Sequence, residues 1–325
     1  MDIYLGVDGG ASKTFALAAD ATGRVIGFGQ GGCANHQIYG AEAALREIGA
    51  ACRAALGEHT AAFASFCLAG ADLPSDFALL RPALQSIGVA ATFDLRNDTW
   101  AAMRAGTAHP WGAVVICGSG LNAAVRAPDG REFILPNLGW ISGDQGGGGD
   151  MSRLAIGAVA RAWDGRGPPT VLTERVLHHF KYPSYEMLLE ALYTDRLPGR
   201  RIYGLAPLVF AAALEGDRVA QDLIVRTGTE IGHVAGSLLR RMGMHHEPYE
   251  VVTGGSIFKG VGPLLMDAAS LALHYLAPLA HFTRARVEPV VGALLLAFEL
   301  HGRAVGDALL AQLHDTLPES LVNQP

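Results

Sequence analysis

Two stretches of this 325-residue chain follow one plan, and that repetition constrains the fold more than any single motif. The first is YLGVDGGASKT, from Tyr4 to Thr14. A short apolar run ends at Asp8, turns through Gly9 and Gly10, and resumes as far as Ala19. The turn ATGR at 21–24 leads into a third run, so strands are predicted at 3–8, 14–20 and 25–30. The pattern restarts at Trp111, with a strand at 112–117, the turn Gly118-Ser119-Gly120 and a strand at 122–127. The turn PDGR at 128–131 then precedes a strand at 133–135. Two copies of one βββ unit, each opening on a glycine hairpin, make chance a poor explanation.

The first turn offers small residues, backbone N–H groups, the hydroxyls of Ser12 and Thr14, and the Asp8 carboxylate at its mouth. Such a set suits a nucleotide phosphate with its magnesium ion. It is not a P-loop: Ser12 stands where that motif has its second glycine, and Thr14 begins a strand rather than a helix. A plain hairpin is the alternative, since D-G-G turns also occur without ligands.

Half the residues are hydrophobic and 17% are charged, which describes a compact chain long enough for two cores. A net charge of −6, with no basic run longer than Arg200-Arg201 or Arg240-Arg241, argues against a nucleic-acid binder. The strand beginning near Met1 leaves no room for a signal peptide, and the apolar stretch 290–300 is too short for a membrane span and carries Glu299. Cys33, Cys52, Cys67 and Cys117 lie 19, 15 and 50 residues apart, matching no zinc or redox spacing. A cytoplasmic location is expected. The pairs His178-His179 and His245-His246 read as surface histidines, since neighbours on a helix diverge.

Between and after the two copies, helices are predicted at 41–56, near 77–86 and from Thr99, with strands at 63–69 and 92–95. Residues 154–242 read as mainly helical, broken at Gly165–Pro169 and at Leu197-Pro198-Gly199. A strand at 249–252 meets a third glycine turn, Thr253-Gly254-Gly255-Ser256, before a helix from about Gly262. The class is α/β. The expected division is 1–109 and 110–325, with a helical insertion at about 154–242 and a C-terminal helix packing back on the first domain.

The order of these motifs resembles the sugar kinase, Hsp70 and actin ATPases, and within them the BadF/BadG/BcrA/BcrD ATPase family, in its N-acetylglucosamine kinase-like branch. The residues carrying the resemblance are GVDGGASKT at 6–14, Ala34-Asn35-His36, LAGAD at 68–72, Asn97-Asp98-Thr99, CGSGLN at 117–122, GWISGDQG at 139–146 and TGGS at 253–256. It implies two duplicated βββαβα domains of the actin-like, ribonuclease H-like type, with ATP in the cleft between them. It further implies Asp8 at the magnesium ion. Gly9, Gly10, Ser12, Lys13, Thr14, Gly118, Ser119, Gly120, Asn122, Gly254, Gly255 and Ser256 would lie at the nucleotide. Asn35, Asp72, Asp98, Ser119, Gly120, Asp144 and Gly148 would lie at the sugar, with Asp98 as the base. The departures are Ala11 for glycine, Leu121 for a small residue, Gln145 for glutamate, and Gly147-Gly148-Gly149-Asp150 in place of a segment ending in two aromatics. They bear on which sugar is taken.

Each role has a plainer counterpart. Asp8 and Asp72 could cap turns, Asp98 could cap a helix, and Lys13 could face solvent. The glycines at 146–149 could offer free amides ahead of a helix or act as a hinge. Gly254 and Gly255 could simply turn the chain. Trp100 and Trp140 could stack on a sugar or pack in the core. The expected activity is ATP- and magnesium-dependent phosphorylation of the 6-hydroxyl of an amino sugar, N-acetylglucosamine or glucosamine, with a homodimer left open. The alternatives are an ATPase that activates a partner enzyme, against which the scattered cysteines speak, and a sugar sensor without catalysis.

Overall fold

A computed structural model describes residues 2–197 and 202–323, apart from the side chain of Trp140. Pro198, Gly199 and the Arg200-Arg201 pair therefore lie outside the described residues. The chain divides into two compact units: residues 1–114, 128–130 and 283–325, and residues 115–127 and 131–282.

In the first unit, β1 (Ile3–Gly9), β2 (Thr14–Asp20) and β3 (Val25–Gly31) form the antiparallel meander that the alternating pattern predicts. A short helix α1 (His36–Tyr39) and α2 (Ala41–Leu56) follow. Next come β4 (Ala61–Leu68), α3 (Pro74–Ile87), β5 (Ala90–Asn97) and α4 (Thr99–Gly106). Strands β1, β4 and β5 run parallel, in the sheet order β3-β2-β1-β4-β5.

Period-2 alternation sends this sheet's side chains into two cores. Leu5, Val7, Ala16, Phe66 and Leu68 join Ile48 of α2 and Leu80 and Leu84 of α3 on one face. Tyr4, Phe15, Leu17 and Phe63 face the other way, against two helices from the end of the chain, whose Val290, Leu294, Phe298, Leu309 and Leu313 close that side. A Cβ on Gly6 would lie 2.2 Å from the Leu294 backbone nitrogen, so only glycine permits this approach. Glu299, in the apolar stretch 290–300, pairs with the buried Arg104 at 2.9 Å. No described helix is long and apolar enough to cross a membrane.

The second unit repeats the sheet. β6 (Gly112–Cys117), which begins at the boundary, leads to β7 (Leu121–Arg126) and β8 (Glu132–Ile134). Its helices are α5 (Gly147–Trp163), α6 (Leu172–Phe180), α7 (Tyr185–Tyr193), α8 (Ala206–Leu214) and α9 (Arg218–Arg241). They precede β9 (Glu250–Gly254), α10 (Leu264–Leu276) and β10 (His281–Arg284). Read from the far edge, the order β8-β7-β6-β9-β10 matches that of the first sheet strand for strand. The chain ends with α11 (Pro289–Leu300) and α12 (Asp307–Thr316), the two helices that cover the first sheet. The helical stretch expected from residue 154 begins earlier, at Gly147, and the reason lies in the site itself.

Candidate active site

In the first unit the carboxyl ends of three parallel strands converge, the usual place for ligands in α/β sheets. Register pairs Gly9 with Leu68 and Leu68 with Asn97, so Asp8, the loop at 69–72 and Asp98 emerge at one edge. Asp98 occupies the cap position of α4 but makes no capping hydrogen bond with its side chain. Asn97 does that work: its Oδ1 accepts from the Thr99 amide at 2.9 Å and from the Thr99 hydroxyl. Its Nδ2 donates to Asp72 Oδ1 at 2.7 Å. The Asp98 carboxylate is thereby released from the plainest of its possible duties.

Electrostatics at this edge are strained toward negative charge. Burial pushes Asp98 up to about 6, helped by the charge of Asp72 and opposed by the nearby Thr99 and Asp98 amides. Asp8 is pushed up to about 8, first by burial, then by Asp98 and Glu288, with Lys13 opposing. Asp72 is also raised, by burial and by Asp76. A partly enclosed carboxylate facing two others is a donor set that fits a hard cation holding most of its shell in water and phosphate. Among the described residues no group of three or more His, Cys, Asp or Glu side chains is placed to hold a metal ion.

Asn35 caps α1, accepting from the Gln37 amide at 2.9 Å. The loop carrying it is tied to the loop carrying Asp72. Gln37 Nε2 donates to Gly70 O at 3.3 Å, and His36 Nε2 meets Asp76 Oδ1 at 3.2 Å. Asp76 Oδ2 in turn accepts from the amides of Asp72 (3.2 Å) and Leu73 (2.7 Å). Asn35, Asp72 and Asp98 thus belong to one connected edge.

The hairpin at Gly9 and Gly10 is a true β-hairpin, with Gly9 paired to Thr14. Two expectations are corrected there. The Gly10 amide donates to Lys13 O at 2.9 Å, so it is not free for a phosphate. The buried Thr14 hydroxyl donates to Gly32 O at 2.6 Å, anchoring β3 instead of facing a ligand. Ser12 is exposed at the tip. Lys13 lies 4.1 Å from the Phe15 ring centroid and pairs with Glu288 at 3.0 Å. Sequence reasoning missed Glu288, whose only local signal was a carboxylate just ahead of Pro289.

In the second unit three glycine segments meet at the end of β6. Gly118 N donates to Gly120 O at 2.9 Å, and the carbonyls of Gly118 and Ser119 accept from the amides of Gly148 (2.7 Å) and Gly149 (2.8 Å). Gly147 has φ of 81°, and a Cβ there would lie 2.7 Å from the Gly120 backbone. These contacts draw the glycine run into the first turn of α5. They also correct the expectation of free amides, because those of Gly148 and Gly149 are already engaged. Gly254 ends β9 and Gly255 follows it, with Gly255 against the Cys117 carbonyl and Ser256 exposed at the start of a tight turn. Asn122 is buried and its Oδ1 accepts from the Ala123 amide at 2.8 Å.

Asp144 accepts from Gly139 N at 3.1 Å and from the Ser142 hydroxyl, closing the loop before α5. It lines a pocket of about 600 Å3 with Ser119, Asp150, Arg153, Arg226 and Glu230. Gln145, one of the departures from the family pattern, accepts through Oε1 from Arg226 at 3.4 Å.

Other expectations resolve as structure. Trp100 is buried beside Arg96, and Cys52, Cys67 and Cys117 are buried with thiols pushed up to about 12. His178 and His179 are exposed on α6. His245 and His246 do not diverge: they sit in a turn, with ring centroids 3.8 Å apart.

The two sheets, their shared strand order and their glycine hairpins define an α/β protein of the actin-like ATPase fold. The chain belongs to the BadF/BadG/BcrA/BcrD ATPase family, whose model matches residues 5–297. It is 26% identical over 314 residues to an N-acetyl-D-glucosamine kinase of Dictyostelium discoideum, covering 91% of this chain and 98% of that one. It is 27% identical over 239 residues to a glucosamine kinase of Vibrio cholerae, covering 71% and 78%. A solved structure from Chromobacterium violaceum, provisionally assigned as an N-acetylglucosamine kinase, superposes with a TM-score of 0.66 at 22% identity, covering 91% and 99%. That last likeness carries the fold alone.

Proposed function

We propose that this chain is an ATP- and magnesium-dependent kinase that phosphorylates the 6-hydroxyl of an amino sugar. One observation carries the reading: Asp98 stands at the carboxyl edge of the first sheet, relieved of capping by Asn97 and poised to about 6 beside Asp72 and Asp8. The kinase names of two relatives that align over most of their lengths support the substrate class.

Phosphoryl transfer needs positioning and charge stabilisation more than covalent chemistry. Asp98, deprotonated near neutral pH, would orient the sugar hydroxyl and take its proton as the oxygen attacks the γ-phosphorus. Asn35 and Asp72 would hydrogen-bond neighbouring hydroxyls. Asp8 would hold magnesium, which supplies neutralisation of the triphosphate charge when bound. Lys13 would exchange its bond to Glu288 for one to phosphate. The exposed tips at Ser12, Ser119 and Ser256 are the remaining candidates for nucleotide contacts. Buried free thiols suit a reducing compartment, and we place the protein in the cytoplasm.

A coupled ADP-release assay across amino sugars and hexoses tests this reading. Release stimulated by an amino sugar is expected; release that no sugar stimulates would leave an ATPase or a sensor.

A further inference from the structure

The pocket in the second unit is lined by both signs of charge, and its groups are unequally engaged. Arg153 pairs with Asp150 at 3.3 Å and donates to the Tyr203 hydroxyl at 2.8 Å. Arg226 donates to Gln145. Asp144 is held by Ser142 and Gly139, and Asp150 also accepts from Gly146 N at 2.9 Å. Glu230 differs. It lies on α9 one turn after Arg226, half-buried, and interacts with Arg226, His233, Asp144 and Asp150 only through their charges.

Three carboxylates and two guanidinium groups therefore line one cavity, and of the three carboxylates Glu230 is the one that accepts no hydrogen bond. Burial disfavours its charge, and Asp144 and Asp150 add to that; Arg226 and His233 offset them only in part. A group in this setting gains most from a ligand that brings a positive charge and several N–H donors. At about 600 Å3 the cavity falls within the roughly 300–1,000 Å3 range of small-molecule sites.

We propose that Glu230 receives the protonated amine of an amino sugar, so that this pocket selects a free 2-amino group over an acetylated one. The assignment deepens, and rests on, the sugar-kinase reading. Acetylation removes the charge and two of the three N–H donors, leaving the half-buried carboxylate with one neutral donor at most. Sites built around a polar partner discriminate strongly against ligands that lack it. A sugar bearing a carboxylate would instead meet the surplus of negative charge.

Calorimetric titration of the full chain with glucosamine, N-acetylglucosamine and glucose separates this proposal from the kinase assignment, because it does not depend on turnover. Wild type is expected to bind glucosamine at least about tenfold more tightly than either other sugar, and Glu230→Gln to abolish that preference. Glu230→Asp should restore part of it, with an unchanged thermal transition in both variants. Equal or tighter binding of N-acetylglucosamine by wild type, or a preference that survives Glu230→Gln, overturns the proposal. Misfolding of both variants leaves the wild-type preference as the deciding result. Glucosamine binding with no sugar-stimulated ADP release would overturn the kinase reading and leave Glu230 as the amine receptor.

Discussion

Asn97 donates through its side-chain nitrogen to Asp72 Oδ1 at 2.7 Å while its oxygen accepts from the backbone amide of Thr99. One buried amide thus caps α4 and fixes the carboxylate next to the candidate base. Asn97→Ala removes both functions at once. A loss of about 1–3 kcal/mol is expected, read as a lower midpoint in urea unfolding. Unchanged stability would mean that the cap is made by another group.

Asp98→Asn keeps the shape of the side chain and removes the base. Sugar binding should persist within a few-fold, while kcat falls by about 10²–10⁴. Equilibrium binding and single-turnover kinetics distinguish the two effects.

Asp98 titrates near 6 in the folded chain, so the base becomes competent as pH rises through that value. Activity should climb between about pH 5 and 7. Stability runs the other way. A carboxyl with a raised folded pKa contributes fully below its ordinary value near 4, and that contribution is lost as pH rises to about 6. Asp98→Asn should therefore be more stable than wild type at neutral pH, by about 1–2 kcal/mol. Thermal melts at pH 4.5 and 7.5 show whether the difference opens with pH.

Gly147 sits at φ 81°, where an added Cβ would overlap the Gly120 backbone. Gly147→Ala should cost at least about 2 kcal/mol and weaken nucleotide binding through the displaced turn at 118–120. Gly157→Ala, further along α5 and with nothing within 4 Å of its added Cβ, serves as the control. Thermal melts and nucleotide titrations of the pair check this.

Lys13 and Glu288 form a half-exposed pair worth little to the fold. Lys13→Met should shift stability by less than about 0.5 kcal/mol yet raise KM for ATP several-fold. An unchanged KM would assign Lys13 to the surface.

Both meanders were legible because period-2 apolar runs met glycine turns, a strictly local signal. The placement of Asp8 and Asp98 at one edge was legible because each stands at the end of its own strand. Asn97 was not singled out, because Asp98 beside it is an equally good cap by composition and only the rotamers separate them. Glu288 was invisible because Lys13 lies 275 positions away. The glycine run at 146–149 misled for a related reason. Glycine disfavours helix locally, and the bonds from Gly148 and Gly149 to the turn at 118–119 override that preference. Glu230 carried no motif at all, and only the fold brings it to the cavity it lines.

The central claim is that Asp98 activates a sugar hydroxyl toward ATP. It is tested most directly by measuring ADP release together with sugar phosphate, with and without an amino sugar, for wild type and Asp98→Asn side by side. Release that depends on the sugar, matches sugar phosphate one for one and collapses in the variant is the predicted result. Equal turnover in the two proteins, or ADP release that no sugar stimulates, would contradict it.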